Sequence, residues 1–402
     1  MEYFGFAWDP FGTNRTSLRG GYGMSCDLAA YSYWENSIFG NPPFVNSVSV
    51  PNTKLDNPAA GTPSISLTPK SPVGSPIEAS TPYVQNWSMD AQREITKGFL
   101  LDVGSYGSKG THLLGRVDLN TLQPGAAVAA GIMTAPLTST TTPRVNSIRP
   151  YRGYTAVNVV RNWFNSNYHS LQVNANVNKG NSIVRLSYTY SKAMTDAGSE
   201  TNAPQNFYNR AAEYALAPYD RPQILTINYT YSVPFMRDQR GVVGHMLGGW
   251  QVSGITIFNA GMPLTVTSGQ GLDWAGMGIL GPSFQSPRPD QIGNPNAGPK
   301  TLIQWFNTAA FADVPAGQVR PGNAGRYTVR GPGYGRWDFS MFKNIKIREQ
   351  SGIQFRAEFF NLFNHTNFQG VGTSYATGST TFGTITSTRD ARVIQMALKI
   401  DF

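Results

Sequence analysis

The sequence predicts an all-β fold, an antiparallel up-and-down transmembrane β-barrel. Charged residues make up 14% and aromatic residues 12% of the 402 positions, and 42 glycines and 27 prolines supply turns. Such a composition, without Ala/Glu/Lys-rich stretches, favours strands over helices. Many segments alternate apolar and polar side chains over about ten residues, which suits a tilted membrane strand better than an ordinary one of about five or six. The connectors are alternately short and long, as in outer-membrane barrels.

The alternation is clearest at the end of the chain. Ile394, Met396, Leu398, Ile400 and Phe402 form one set of every second residue. Successive side chains of a strand point to opposite faces, so these five share a face. The same period occurs in four earlier stretches, namely 87–95, 168–178, 184–190 and 337–347.

Eleven strands are predicted along the chain from this alternation. In order they are 2–8, 15–24, 83–96, 99–107, 168–179, 181–192, 221–233, 248–260, 335–348, 351–364 and 390–402. No stretch approaches the roughly 18 consecutive apolar residues of a transmembrane helix, so the membrane would be crossed by strands.

The connectors indicate how these strands are wired. Short ones are 9–14, 96–98, 179–180 and 349–351, and 234–247, of intermediate length, takes the place of a short one. Long ones are 25–82, 108–167, 193–220, 261–334 and 365–389. Outer-membrane barrels have short periplasmic turns and long extracellular loops, whereas a compact soluble domain rarely contains a structureless loop of even about 20 residues. With this wiring the last strand ends on the periplasmic side. Because the number of predicted strands is odd, the first strand then begins on the extracellular side. A whole bacterial barrel has an even number, so we expect the chain to be a fragment.

Enzyme, metal and nucleic-acid functions find no support in the residues. Cys26 is the only cysteine, and the four histidines lie far apart without metal-ligand spacing, so neither a metal nor another cofactor is expected. There is no G-x-S-x-G nucleophile motif, and Gly331–Gly335 is interpreted as a turn because no P-loop lysine follows. The net charge of +9 is dispersed, which favours attraction to anionic lipopolysaccharide over nucleic-acid binding.

The C-terminal segment Arg356–His365, followed by a final strand ending in Phe402, resembles the last two strands of TonB-dependent receptors and is nearest the Oar-like group. Further pieces of that pattern occur in order over nearly the whole chain. They are 5–10, 19–23, 85–96, 107–110, 168–172, 188–192, 219–221, 248–251 and 330–333.

The resemblance implies that residues 1–402 are the C-terminal half of a barrel of roughly 22 strands, of which this chain supplies about eleven. The signal peptide, the TonB box, the plug domain and the early strands would lie outside this sequence. The parent protein would import a nutrient ligand across the Gram-negative outer membrane and would contact the TonB complex through its N-terminal region. Two alternatives remain open: a passive channel or adhesin barrel that displays surface loops, and a secreted soluble β-rich binding protein.

Two groups of residues are candidates for function. The alternating apolar set that ends in Phe402 resembles the signal read by the barrel assembly machinery, which can pair with an exposed strand edge; alternatively, Phe402 only contacts lipid. Gln354, Arg356 and Glu358 share the opposite strand face and are expected to line the lumen, since an ionised side chain facing lipid costs roughly 2–4 kcal/mol. Two roles are open for these three residues: hydrogen bonding to the plug or to a passing solute, or a polar ladder that pairs with neighbouring strands. Trp87, Trp250 and Trp337 are expected to lie in interfacial girdles; alternatively, some of them pack inside the barrel wall.

Overall fold

The computed structural model describes residues 2–26, 41, 56, 71–75, 80–132, 136–138, 142–197, 203–279, 286–347 and 351–401. Eleven strands follow one another as neighbours in an antiparallel meander. They are β1 (Glu2–Trp8), β2 (Thr16–Cys26), β3 (Tyr83–Thr96), β4 (Phe99–Asp118), β5 (Asn158–Lys179), β6 (Ser182–Thr195), β7 (Gln223–Ser232), β8 (Trp250–Asn259), β9 (Tyr334–Lys346), β10 (Gly352–Phe360) and β11 (Val393–Asp401). Two short strands, Val73–Gly74 and Ala215–Leu216, extend this sheet to 13 strands. The predicted all-β, antiparallel architecture is confirmed.

Two strands are much longer than predicted. β4 has 20 residues and β5 has 22, and they pair with each other as far as Asp118 and Asn158. Their register shifts between Gly110 and Leu114, so the period of two breaks there. His112 has a positive φ of 55° within the irregular stretch. Because the prediction followed the regular alternation, it ended at this irregularity and missed the extension.

The register places all apolar sets on one face of the sheet, called here the apolar face. Directly paired residues on this face include Phe4/Tyr22, Tyr22/Trp87, Val103/Val173, Val173/Tyr188, Tyr188/Leu225, Leu225/Phe258, Val252/Met341, Met341/Ala357 and Ala357/Met396. Since paired residues point the same way, the alternation seen in single strands becomes one continuous surface. The opposite surface, called here the polar face, carries the alternate residues.

The apolar face of the last strand is uncovered. Ile394, Met396, Leu398 and Ile400 are 48%, 68%, 63% and 57% exposed. A two-layer soluble sandwich would bury these side chains against a second sheet. The exposure is what a lipid-facing strand requires.

The sheet remains open at both edges. Within the described residues β1 pairs only with β2 and β11 only with β10. The predicted barrel closure is therefore not observed in this chain. The figure of about eleven strands out of roughly 22 stays a prediction.

The connectors alternate in length as predicted, so the sheet has a short-turn end and a long-loop end. At the short-turn end, Lys97–Gly98 and Gly180–Asn181 each join two strands. Gly98 has φ +80°, and a Cβ there would lie 2.3 Å from the carbonyl oxygen of Asn178. The longest connector at this end contains helix α2 (Gly241–Leu247).

The long connectors were predicted as loops without further structure, but the described parts are ordered. They contain helix α1 (Ala126–Ala129) and the 3-10 helices Thr142–Ser147, Arg210–Glu213, Pro295–Ala297 and Thr308–Ala310. Their short strand pairs are Leu137–Thr138 with Leu272–Asp273, Pro263–Leu264 with Val329–Arg330, Thr267–Ser268 with Ser374–Tyr375, Asp290–Gln291 with Phe311–Ala312, and Phe368–Val371 with Ile385–Thr388. Across the described ranges, no helix is long and apolar enough to span a bilayer.

Candidate functional site: the polar face and the loop assembly

One cluster of charges on the polar face is paired across three strands. Arg19 of β2 reaches Asp90 of β3 at 2.8 Å and Asp102 of β4 at 3.1 Å. All three side chains lie on the face opposite the exposed apolar residues. The two carboxylates thus share one guanidinium, which suits an aqueous or protein-filled interior far better than lipid.

The three residues predicted to line a lumen also lie on the polar face. Gln354 Nε2 donates to Asn344 Oδ1 at 2.7 Å, and Arg356 Nε donates to Gln354 Oε1 at 2.5 Å. The Arg356 guanidinium also lies 5.6 Å from the centre of the Phe342 ring. Glu358 is paired in register with Ser340 and Gln395. One hydrogen bond, from Gln354 to Asn344, thus crosses between strands, and Arg356 bonds to Gln354 within its own strand. Whether the three residues line a lumen or form a polar ladder stays a prediction.

The candidate assembly signal lies on the edge strand β11. Its members Ile394, Met396, Leu398 and Ile400 are on the apolar face, and β10 is the only strand paired with β11 within the described ranges. Phe402 lies outside the described residues. A strand with a free edge and a regular apolar face has the form needed for strand addition, but recognition by assembly machinery stays a prediction.

The long connectors pack together at the long-loop end of the sheet. We call the described residues of 119–157, 196–222, 260–333 and 361–392 the loop assembly. Its main apolar cluster consists of Val266, Phe306, Ala310, Phe311, Ala324 and Val329, with Trp305, Val371, Tyr375 and Phe382 packed against it. Several members are aromatic and meet edge to face, such as Phe306 and Phe382 with ring centres 5.1 Å apart. Two connectors distant in sequence thereby share one core.

A buried ion cluster joins the 260–333 connector to the 196–222 connector. Glu213 is 1% exposed and receives hydrogen bonds from both terminal nitrogens of Arg288, at 2.7 and 3.0 Å. Arg326 lies 3.3 Å from the same carboxylate and donates to the Glu213 carbonyl oxygen at 2.6 Å. Burial lowers the pKa of Arg326, an effect that the Glu213 charge opposes. The carboxylate therefore holds two guanidinium groups inside the loop assembly.

Further polar contacts connect the remaining parts. Arg330 Nη2 donates to Asp220 Oδ2 at 2.5 Å. The Arg149 guanidinium donates to the carbonyl oxygens of Asn120 and Gly278, both at 2.6 Å, and burial lowers its pKa. Burial also raises the pKa of Asp273, whose carboxylate accepts from the Gly278 amide. These contacts make the loop assembly a cohesive body.

The sequence alone does not reveal this network. Glu213 and Arg288 are 75 positions apart, and Asp220 and Arg330 are 110 apart. Isolated charges in polar connectors look like solvated side chains, and no spacing marks them as partners.

A cavity of about 1240 Å³ lies at the long-loop end of the apolar face. Aromatic rings line it: Trp337 meets Phe258 at 4.8 Å and Phe363 at 5.4 Å between ring centres. Lys300 lies beside the Trp305 ring, and burial lowers its pKa. Since Phe258 and Trp337 belong to the apolar face, this cavity opens on the lipid side.

The three candidate girdle tryptophans share the apolar face but lie at different ends. Trp337 is near the long-loop end of β9, and Trp87 is near that end of β3, whereas Trp250 begins β8 at the short-turn end. Two bands of aromatic residues would require this arrangement.

Over the same described residues, no group of three or more His, Cys, Asp or Glu side chains could hold a metal ion.

Comparison with known proteins agrees with the fold. The sequence model of a family described as "Outer membrane beta barrel domain" matches residues 4–395. The outer membrane transporter YddB from Escherichia coli superposes with a TM-score of 0.53 at 9% identity, over 99% of this chain and 40% of that one. The FrpB iron transporter from Neisseria meningitidis (F3-3 variant) gives 0.46 at 9% identity, over 98% and 38%. This chain thus spans well under half of either structure. Among curated proteins none matches it. Since the family match covers almost all 402 residues, the chain belongs to the outer membrane beta barrel domain family and its place is the bacterial outer membrane.

Proposed function

We propose that residues 1–402 form the C-terminal half of the barrel of a TonB-dependent transporter, whose whole length imports a nutrient ligand across the outer membrane. The observation that carries this proposal is the loop assembly above an eleven-strand sheet with one apolar face. Loops locked by buried ion pairs present a preformed surface, and preformed surfaces favour ligand binding because less conformational entropy is lost. The resemblance of Arg356–His365 to TonB-dependent receptors supports the same function.

The work is divided between this chain and the rest of the parent protein. The loop assembly and the polar face supply the contacts for the ligand, and the apolar face holds the barrel in lipid. Energy coupling belongs to the plug domain and the TonB contact, which the resemblance places upstream. The dispersed net charge of +9 favours contact with lipopolysaccharide phosphates around the extracellular rim.

Uptake measurements with the full-length parent protein test the transport proposal. Cells that express it, with or without TonB, are supplied with a panel of labelled ferric siderophores, oligosaccharides and peptides, and accumulation of each label is measured. We expect accumulation of one class, lost when TonB is removed. Ion conductance in planar bilayers with TonB-independent flux would assign a passive channel instead. Surface adhesion without any flux would assign the adhesin.

We also propose that the last strand carries the signal for the barrel assembly machinery. Deletion of Phe402 from the parent protein is expected to lower the amount inserted into the outer membrane, and Phe402→Tyr should retain insertion because it keeps an aromatic end. Insertion is measured by heat-modifiable gel mobility of outer-membrane fractions. Unchanged insertion after the deletion would show that Phe402 only contacts lipid.

A further inference from the structure

Helix α2 at the short-turn end exposes its apolar side chains. Val242 is 78% exposed, Val243 57%, Met246 66% and Leu247 48%. With 3.6 residues per turn, positions 242, 243, 246 and 247 lie on one side of an α-helix. Four of the seven residues thus form an exposed apolar stripe, although a connector facing water normally presents polar side chains.

The other side of the helix is made of glycine. A Cβ at Gly244 would lie 2.9 Å from the carbonyl carbon of Gln239, and one at Gly248 would lie 1.9 Å from the Met236 carbonyl oxygen. Both glycines are buried. The helix backbone therefore packs closely on residues 236–239, the part of the same connector that precedes it. This reverses the usual arrangement, in which the apolar stripe of a surface helix faces the core.

Hydrogen bonds hold α2 in this orientation. Gln239 Nε2 donates to the Asn344 carbonyl oxygen at 2.8 Å, and Gln239 Oε1 accepts from the Lys346 amide at 3.0 Å. Lys343 Nζ donates to the carbonyl oxygens of Met246, at 3.2 Å, and of Gly248. A cation at the carbonyl end of a helix is stabilising. The exposed stripe is thus a fixed feature of the connector.

The position of Lys343 shows which side of the sheet the helix occupies. Lys343 is the one charged residue in the alternating apolar set of β9, and it is 7% exposed. It pairs in register with Trp250, whose indole nitrogen donates to the Met246 carbonyl oxygen at 3.1 Å. Both side chains belong to the apolar face. The C-terminal end of the helix is therefore held at the short-turn end of the apolar face.

We propose that α2 is an interfacial anchor whose stripe inserts into the acyl chains of periplasmic-leaflet phospholipids. The stripe continues the apolar face, which is already in contact with lipid in a protein of this family. An exposed apolar patch continuous with a membrane surface is stabilised by burial there. Arg237 and Arg240, both exposed just before the helix, are placed to meet phosphate groups.

Site-directed spin labelling tests the anchor. On a Cys26→Ser background, Met246→Cys is labelled in the full-length parent protein, folded in liposomes of phosphatidylethanolamine and phosphatidylglycerol. The matched control is His245→Cys, one position away but off the stripe. We expect the ratio of collision with oxygen to collision with a water-soluble nickel chelate to be several-fold higher at 246 than at 245.

Two results would overturn the anchor. Equal nickel accessibility at both positions would place the stripe in water. Protection of position 246 from both reagents would mean that protein covers it. Folding of each labelled variant is checked by gel mobility, and Val242→Cys replaces Met246→Cys if that variant does not fold. Because the readout reports lipid contact alone, it is independent of whether transport requires TonB.

Discussion

At the scale of single residues, the Glu213 carboxylate differs sharply from the surface charges of this protein. It is 1% exposed and contacts two guanidinium groups, whereas the Arg15-Glu94 pair is 3.6 Å apart and largely solvated. A solvated ion pair stabilises a protein by at most about 1 kcal/mol. A buried ion that loses its partner costs far more, because its desolvation is no longer offset.

Replacing the Glu213 charge is predicted to loosen the loop assembly. Glu213→Gln keeps the size of the side chain but leaves Arg288 and Arg326 without their buried anion, at a cost of about 3–5 kcal/mol. We expect faster amide hydrogen exchange in 286–333, with the strands unaffected. Glu94→Gln is the control and should change exchange little. Equal exchange in the two variants would contradict this account.

Acidification is predicted to affect two loop carboxylates with opposite sign. The hydrogen bonds from Arg320 lower the pKa of Asp290. Its contribution to stability is therefore present above the unfolded pKa of about 3.9 and is lost as the pH falls through the folded value. Burial raises the pKa of Asp273. Its ionised form is thus destabilising at pH values above the raised pKa. That cost shrinks as the pH falls below the raised value and is gone below the unfolded pKa of about 3.9.

Variants separate the two effects. Hydrogen exchange of the loop assembly is measured between about pH 6 and about pH 3. Asp290→Asn should lower protection at the upper end of this range and remove the acid-induced loss. Asp273→Asn should remove the opposing gain and leave the acid-induced loss larger. Identical pH profiles for the two variants would be inconsistent with the assigned signs.

At the scale of elements, the two faces of β11 predict different tolerances to charge. Met396 is 68% exposed on the apolar face, and its neighbour Gln395 pairs with Glu358 on the polar face. An Arg at a lipid-facing mid-strand position costs roughly 2–4 kcal/mol. Met396→Arg should therefore destabilise the folded parent protein in liposomes, measured by urea unfolding. Gln395→Arg should have little effect, and the reverse order would contradict the assignment of faces.

At the scale of the whole molecule, the open sheet has a physical consequence. β1 and β11 each have an edge without a paired strand in the described chain. Each unsatisfied backbone group in hydrocarbon costs several kcal/mol. Residues 1–402 by themselves are therefore predicted not to insert into liposomes as a stable monomer, as judged by heat-modifiable mobility. The same strands within the parent protein should insert. A stably inserted monomer of the isolated chain would contradict the prediction.

Sequence and tertiary structure contributed different parts of this picture. All eleven strands, their order and the alternation of connector lengths follow from the sequence, because side chains of a strand alternate with a period of two that is readable locally. The placement of Gln354 and Arg356 on one strand face follows from the same period. The extension of β4 and β5 does not, since the register shift at Gly110–Leu114 interrupts that period.

The contacts that hold the loop assembly together are visible only in the tertiary structure. Glu213 meets Arg288 across 75 positions, and Arg149 reaches Gly278 across 129. Contacts of this kind depend on where the strands place the connectors in space, and no local repeat encodes them. The docking of α2 onto the apolar face is likewise invisible in a seven-residue stretch, because its orientation is set by Lys343 on a distant strand.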